Sequence, residues 1–229
     1  MMLPDYWLAR PTTVFGEDAR QAFDQLLETT LHGGPCPLIE YKLPWPKWSF
    51  LCYLAEHHPI ALHGSGNAEI ATFEPRQSND VNEFGNQCAV YAAADGIWPM
   101  FFAIVNREQY ALTVSNACIR LIDREGNANG PFYIFSISAT ELARQPWRAG
   151  TVYLLPNTTF QQQAALPFGD YEVRIPQLAS LSPVQPLARL PVAPSDFPFL
   201  QQIRGHDDRR LHEYATAMQT GAPWPAEFS

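Results

Sequence analysis

"YALTVSNACIRLIDREGNANGPFYIFSIS", residues 110–138, decides the fold class. Two segments dense in β-branched and aromatic residues flank "REGNANG", a cluster of turn-forming residues, so both read as strands. The same texture continues in "TVYLLP" (151–156), "YEVRI" (171–175) and "VQPLARLPV" (184–192), each bounded by Gly, Pro, Asn or Ser. A final helix is expected over about 206–219, with Leu211, Tyr214, Ala215 and Met218 on one side.

Upstream the pattern differs. Residues 17–31, "EDARQAFDQLLETTL", place Ala22, Phe23, Leu26 and Leu27 on one helical face, with acids in the first turn and Gly33, Gly34 and Pro35 closing the run. "WSFLCYLAEHH" (48–58) reads as a second helix that must stop before Pro59. "IALH" (60–63) and "AVYAAAD" (89–95) read as strands, and Asp95 is placed to cap a helix carrying Pro99 in its first turn. Helices first, then a series of strands, then a closing helix indicate an α+β chain with mainly antiparallel sheet rather than alternating βαβ units. At 229 residues one domain is expected over 1–229, with 1–50 a helical and proline-rich extension packed on a core of 51–229.

Composition narrows the function. The formal charge is −8 and the only lysines are Lys42 and Lys47, which argues against nucleic acid as the main partner, because phosphate backbones are held by clustered Lys and Arg. The cluster of Arg204, Arg209 and Arg210 is offset by Asp207 and Asp208. Cys36, Cys52, Cys88 and Cys118 lie far apart and form no CxxC pair, and Cys52 and Cys118 fall in apolar runs where buried thiols are the rule. The opening residues lack a basic flank followed by a long apolar core, and no apolar run reaches membrane-span length; a soluble, cytoplasmic protein without a membrane partner is expected.

"LHGSGNAEIATFEPRQSND" (62–80) carries the chemistry. Gly64 and Gly66 match the first two positions of a dinucleotide fingerprint, but Glu69 stands where a third glycine must let helix and strand meet. No Gly-Lys-Ser/Thr follows for a phosphate loop, and Ser65 is flanked directly by glycines, which is not a nucleophile elbow. Metal ligation by His57, His58, His63 and Asp80, or by His206, Asp207, Asp208 and His212, lacks a ligand spacing: His57 and His58 diverge on a helix, and His206 and His212 stand roughly 240° apart. Nothing near Cys52 or Cys88 activates a thiol. A strand-end histidine remains, followed by backbone that a flat ligand can approach, with Tyr91 in the next strand as an aromatic platform.

In these two motifs, His63-Gly64-Ser65 and "FGNQCAVYAAAD" (84–95, with Phe84, Gly85, Tyr91, Ala94 and Asp95), the chain resembles the ADP-ribosyltransferase superfamily, specifically its poly(ADP-ribose) polymerase-like branch. The likeness covers about 62–105. It implies two small, mainly antiparallel sheets flanking a cleft, and NAD as substrate, with no metal. His63 would orient a ribose hydroxyl, Gly64 and Ser65 would hold the carboxamide, and Tyr91 would pack on nicotinamide. Loss of nicotinamide through an oxocarbenium-like state would pass a single ADP-ribose to an acceptor, protein among the candidates, or to water. The family's third motif carries a glutamate; here Gln177 stands at that place in "RIPQLASLSP", and Glu172 is the nearest alternative carboxylate. A glutamine there also fits a catalytically inactive relative that serves as a nucleotide-binding or protein-interaction module, with the proline-rich stretches 35–46 and 183–198 as docking segments.

Overall fold

A computed structural model describes residues 3–12, 15–78 and 83–226, and it is α+β as expected. In chain order the elements are β1 (Leu8–Ala9), α1 (Glu17–Leu31), α2 (Lys47–His57), β2 (Ile60–Ser65), β3 (Arg76–Gln77), β4 (Cys88–Ala93), α3 (Trp98–Ile104), β5 (Val114–Ile122), β6 (Ala128–Ser138) and α4 (Ala139–Leu142). They continue through β7 (Gly150–Pro156), β8 (Gln161–Gln162), β9 (Leu166–Phe168), β10 (Tyr171–Arg174), β11 (Gln177–Ser180), β12 (Ala188–Val192), β13 (Arg204–His206) and α5 (Leu211–Thr220).

Two sheets result. The first runs β1-β6-β5-β10-β9, with β13 added alongside β6; the second runs β12-β7-β2-β4-β11-β8, with β3 beside β4. Neighbours are antiparallel except β13, which pairs parallel with β6. The strands β5 and β6 hold the register Val114↔Ile137 to Ile122↔Ala128 around the turn foreseen at "REGNANG".

Alternation along the second sheet builds two cores. Ile60, Leu62, Val152 and Leu154 face the main core with α2, α3 and the first sheet, whereas Ala61, Tyr153 and Leu155 face a smaller cluster around Phe73 and Val184. The main core is continuous from Phe23 and Leu27 on α1, through Phe50 and Phe101, to Phe197 and Phe199. Helix α1 buries Ala19, Phe23, Leu27 and Thr30, a face turned slightly from the expected one, and Ala22 and Leu26 are only half-buried. The Phe23 ring lies 5.5 Å from that of Phe50, which docks α1 on α2.

Asp95 holds the start of α3. Its Oδ1 accepts from the backbone N–H groups of Ile97 (2.9 Å) and Trp98 (2.8 Å), and its Oδ2 accepts from the buried Tyr133 hydroxyl at 2.7 Å. One carboxylate thereby caps a short helix and ties it to the first sheet.

The C-terminal helix begins later than its pattern suggests. Residues 204–206 extend the first sheet, and α5 starts only at Leu211. The cause is His206, buried in that sheet: Ser136 Oγ lies 2.6 Å from its Nδ1 and Thr113 Oγ1 lies 2.7 Å from its Nε2. Thr113 donates its own proton to Asp208 (2.6 Å), so it accepts from the histidine and Nε2 carries the imidazole proton. These bonds fix His206 as a strand residue before the helix can start.

Candidate functional site

The cleft of interest, about 530 Å³, opens where the second sheet splits. Strands β2 and β4 share a single pair, Leu62↔Ala93, and then part, whereas β2 stays paired with β7 to Ser65↔Thr151. Beyond Leu62 the β2 edge has no strand beside it among the described residues. Asn157 N–H donates to Pro59 O (3.1 Å), so the backbone groups of Ala61, His63 and Ser65 turn toward β7 and those of Gly64 turn the other way, to the unpaired edge.

His63 bridges the split. Its Nδ1 lies 2.6 Å from Tyr91 O; a carbonyl only accepts, so Nδ1 carries the proton and Nε2 presents a lone pair. Burial holds this imidazole below its ordinary value of 6.5, against the opposing pull of the Tyr91 carbonyl. The ring also packs on Phe73 at 4.7 Å between centroids.

Tyr91 is fixed from its far end. Its hydroxyl donates to Phe84 O (3.0 Å) and accepts from Gln87 N–H (2.8 Å), so the "FGNQ" turn holds the phenol while the ring borders the cleft. Strand β11 flanks β4 on its other side, in the register Gln177↔Ala93 to Ser180↔Val90. Gln177 lines the cleft, half-buried, and makes no side-chain hydrogen bond among the described residues. The fold therefore brings His63, Gly64, Ser65, Tyr91 and Gln177 into one cleft.

Glu172 is not among them. It lies on β10 in the first sheet, opposite Ile122, exposed and loosely paired with Arg174 at 3.9 Å. Residues Ile175 and Pro176 carry the chain from one sheet to the other, so five positions in sequence separate residues on different surfaces.

The cleft is bounded by the second sheet and α3, and among the described residues no strand of the first sheet lines it. Trp98, Pro99 and Phe102 form the wall opposite β4. Helix-face packing describes Phe101, which is fully buried against Phe135, but Trp98 and Phe102 face the cleft as well. The Trp98 indole N–H is held by Asn116 Oδ1 at 2.5 Å. At the mouth stand Arg107, Glu108 and Arg148, which no motif identifies because two separate loops bring them together.

The glycines serve packing more than ligand access. A Cβ on Gly64 falls 1.7 Å from Pro99 O, and one on Gly150 falls 2.1 Å from Ala103 O; both glycines admit the backbone of α3 onto β2 and β7. The amides of the turn after Gly66 are engaged: Asn67 N–H donates to Ser65 Oγ (3.1 Å), Glu69 N–H to Asn67 Oδ1 (2.9 Å), and Ile70 N–H to Tyr153 Oη on β7 (3.0 Å). Glu69 pairs with Arg189 at 3.0 Å. With those amides engaged, the turn is not a phosphate cradle.

The other sequence candidates lie elsewhere. His57 and His58 both pack on the Tyr53 ring, at 4.7 and 5.7 Å between centroids, and His58 also bonds Asp24 Oδ1 at 2.8 Å. Asp80 lies outside the described residues. Asp207 is engaged by Arg209, and among the described residues no group of three His, Cys, Asp or Glu side chains is placed to hold a metal ion. Cys52 is buried and its thiol pushed up by burial, the opposite of an activated nucleophile; Cys88 is exposed. Among the described residues no helix is long and apolar enough to cross a membrane.

His63 and His206 together predict a pH profile. Burial lowers both, the second in spite of Asp208. The unfolded chain then binds more protons than the folded one just below the ordinary 6.5, so stability is full above that value and falls as pH drops through it. Thermal midpoints are expected to be lower at about pH 5.5 than at about pH 7.5, well before the carboxylates near pH 4 contribute. Equal midpoints at the two values would show that neither histidine is held neutral. Comparison of the chain with family models, with curated proteins and with solved structures returned no match.

Proposed function

We propose that the cleft binds NAD and that the protein is an ADP-ribosyltransferase-like protein, transferring a single ADP-ribose to an acceptor or hydrolysing NAD. One observation carries the reading: His63, Tyr91 and Gln177, distant in sequence, line the same cleft at the split between β2 and β4. The residues fit the ligand's demands. The Nε2 lone pair of His63 accepts from a ribose hydroxyl. The Gly64 backbone, turned to the unpaired edge, offers an N–H and a C=O to a carboxamide, beside the Ser65 hydroxyl. Tyr91 and Trp98 supply aromatic surface for a planar ring.

Gln177 bears on turnover. A glutamine at the mouth of β11 hydrogen-bonds a ribose hydroxyl but brings no negative charge to a developing oxocarbenium ion. This favours, as a second reading, a nucleotide-binding module without catalysis. Nicotinamide release from NAD, measured against a protein-free control, separates the two. Gln177→Glu is expected to raise release by at least about tenfold, since one well-placed charge supplies a few kcal/mol. If Gln177→Glu binds NAD yet releases no more nicotinamide than the control, the transferase reading fails and the binding module stands.

A further inference from the structure

At the cleft mouth, the Arg148 guanidinium occupies the space a side chain at residue 66 would need. A Cβ on Gly66 falls 1.8 Å from both Cζ and Nη2 of Arg148. The guanidinium thus lies directly on the main chain of the His63–Gly66 strand end. Its own backbone is fixed, because Arg148 N–H donates to Ile104 O at 2.8 Å at the end of α3. Its Nε is buried with no hydrogen-bond partner among the described residues, and its Nη1 holds one carboxylate oxygen of Glu108 at 2.9 Å. The Arg148 side chain is 20% exposed, but that of Glu108 is 76% exposed. Arg107, also at the mouth, is exposed and makes no ion pair among the described residues. The mouth therefore carries two guanidinium groups and one carboxylate, in a chain whose net charge is −8.

An ion pair with one partner in water is weak, because solvent screens it and a long side chain must be ordered. The arginine fork matches phosphate oxygens in a bidentate geometry that a single-point contact to Glu108 does not use.

We infer that Arg148 is the anion anchor of this cleft, seated on Gly66 and occupied by Glu108 in the free protein, and that a ligand phosphate displaces Glu108 on binding. The inference rests on the reading of the cleft as a nicotinamide-ring site; on that reading the displacing group is a phosphate of the dinucleotide bridge. The ligand class is a planar ring joined through a sugar to a phosphate, apolar at the Trp98 and Phe102 wall and anionic at the mouth. Glu108 then acts as a competitor that a ligand phosphate must displace and that a ligand without phosphate leaves in place.

Calorimetric titration with four probes tests this: nicotinamide, nicotinamide mononucleotide, NAD and ADP-ribose, each against wild type, Arg148→Gln, Glu108→Gln and Gly66→Ala. Arg148→Gln is expected to weaken the three phosphate-bearing probes by about 10- to 100-fold and to leave nicotinamide unchanged. Gly66→Ala should do the same by moving the guanidinium. Glu108→Gln, a change at an exposed side chain that leaves folding intact, should tighten the phosphate-bearing probes by about 2- to 5-fold. NAD binding that is equal in wild type, Arg148→Gln and Glu108→Gln overturns the anchor and leaves the nicotinamide reading standing. Arg148-dependent binding of ADP-ribose with no binding of nicotinamide, its mononucleotide or NAD keeps the anchor and removes that reading. Wild type binding none of the four overturns both.

Discussion

Gly64→Ala is expected to lower the melting temperature by roughly 6–12 °C, the consequence of about 3 kcal/mol of lost stability in a chain of this length. The added methyl meets Pro99 O at 1.7 Å, with the Pro99 carbonyl carbon at 2.7 Å and Ala103 N at 3.0 Å. All three are backbone atoms, so no rotamer change relieves the contact. Relief requires α3 to move off β2, and α3 is tied to the first sheet through Asp95 and Tyr133. Gly66→Ala is the instructive comparison. Its obstacle is the end of the flexible Arg148 side chain, so its effect on stability is smaller and its effect on ligand binding larger. A Gly64→Ala protein that melts with wild type in a calorimetric scan would show that α3 does not lie against β2 as described.

His63→Ala is expected to weaken NAD binding by about 10- to 100-fold, the range for losing a buried hydrogen bond together with the ordering it supplies. The imidazole acts at both nitrogens. Its Nδ1–H satisfies Tyr91 O across the split, which sets the tautomer and leaves Nε2 as an acceptor. Alanine removes the acceptor and also frees the strand that carries Tyr91. Protonation at Nε2 abolishes the acceptor without disturbing the Nδ1 bond, so the wild-type affinity for NAD should decline at acid pH, below the lowered value of this histidine.

Strands β5, β6 and β10 are legible because β-branched and aromatic runs bounded by turn residues admit little else, as β5 and β6 show. The pairing of His63 with Tyr91 was legible through two ordered motifs. The choice between Gln177 and Glu172 was not, because it depends on which sheet each strand joins. Pro176, which cannot donate to a ladder, stands at the crossing, and only long-range pairing shows that β10 belongs with β5 and β11 with β4. The start of α5, at Leu211 rather than near residue 206, is hidden for a similar reason. "HDDRR" has the acids of a helix start, but His206 is captured first by Ser136 and Thr113, residues about 70 and 93 positions away. The Arg148–Glu108 pair joins two loops some forty residues apart, a spacing no local pattern encodes. The role of Gly64 was half legible: the need for glycine was plain, and the approaching group proved to be α3.

Thermal denaturation with and without NAD tests the central claim most directly, on wild type alongside His63→Ala and Tyr91→Ala. Ligand that binds only the folded state stabilises it by about 1.4 kcal/mol at ten times its dissociation constant, a rise of roughly 3–6 °C for a chain of this size. The wild-type protein is expected to show that rise at millimolar NAD, and each variant to lose most of it relative to its own ligand-free midpoint. A wild-type melting temperature that does not move with NAD would contradict the account.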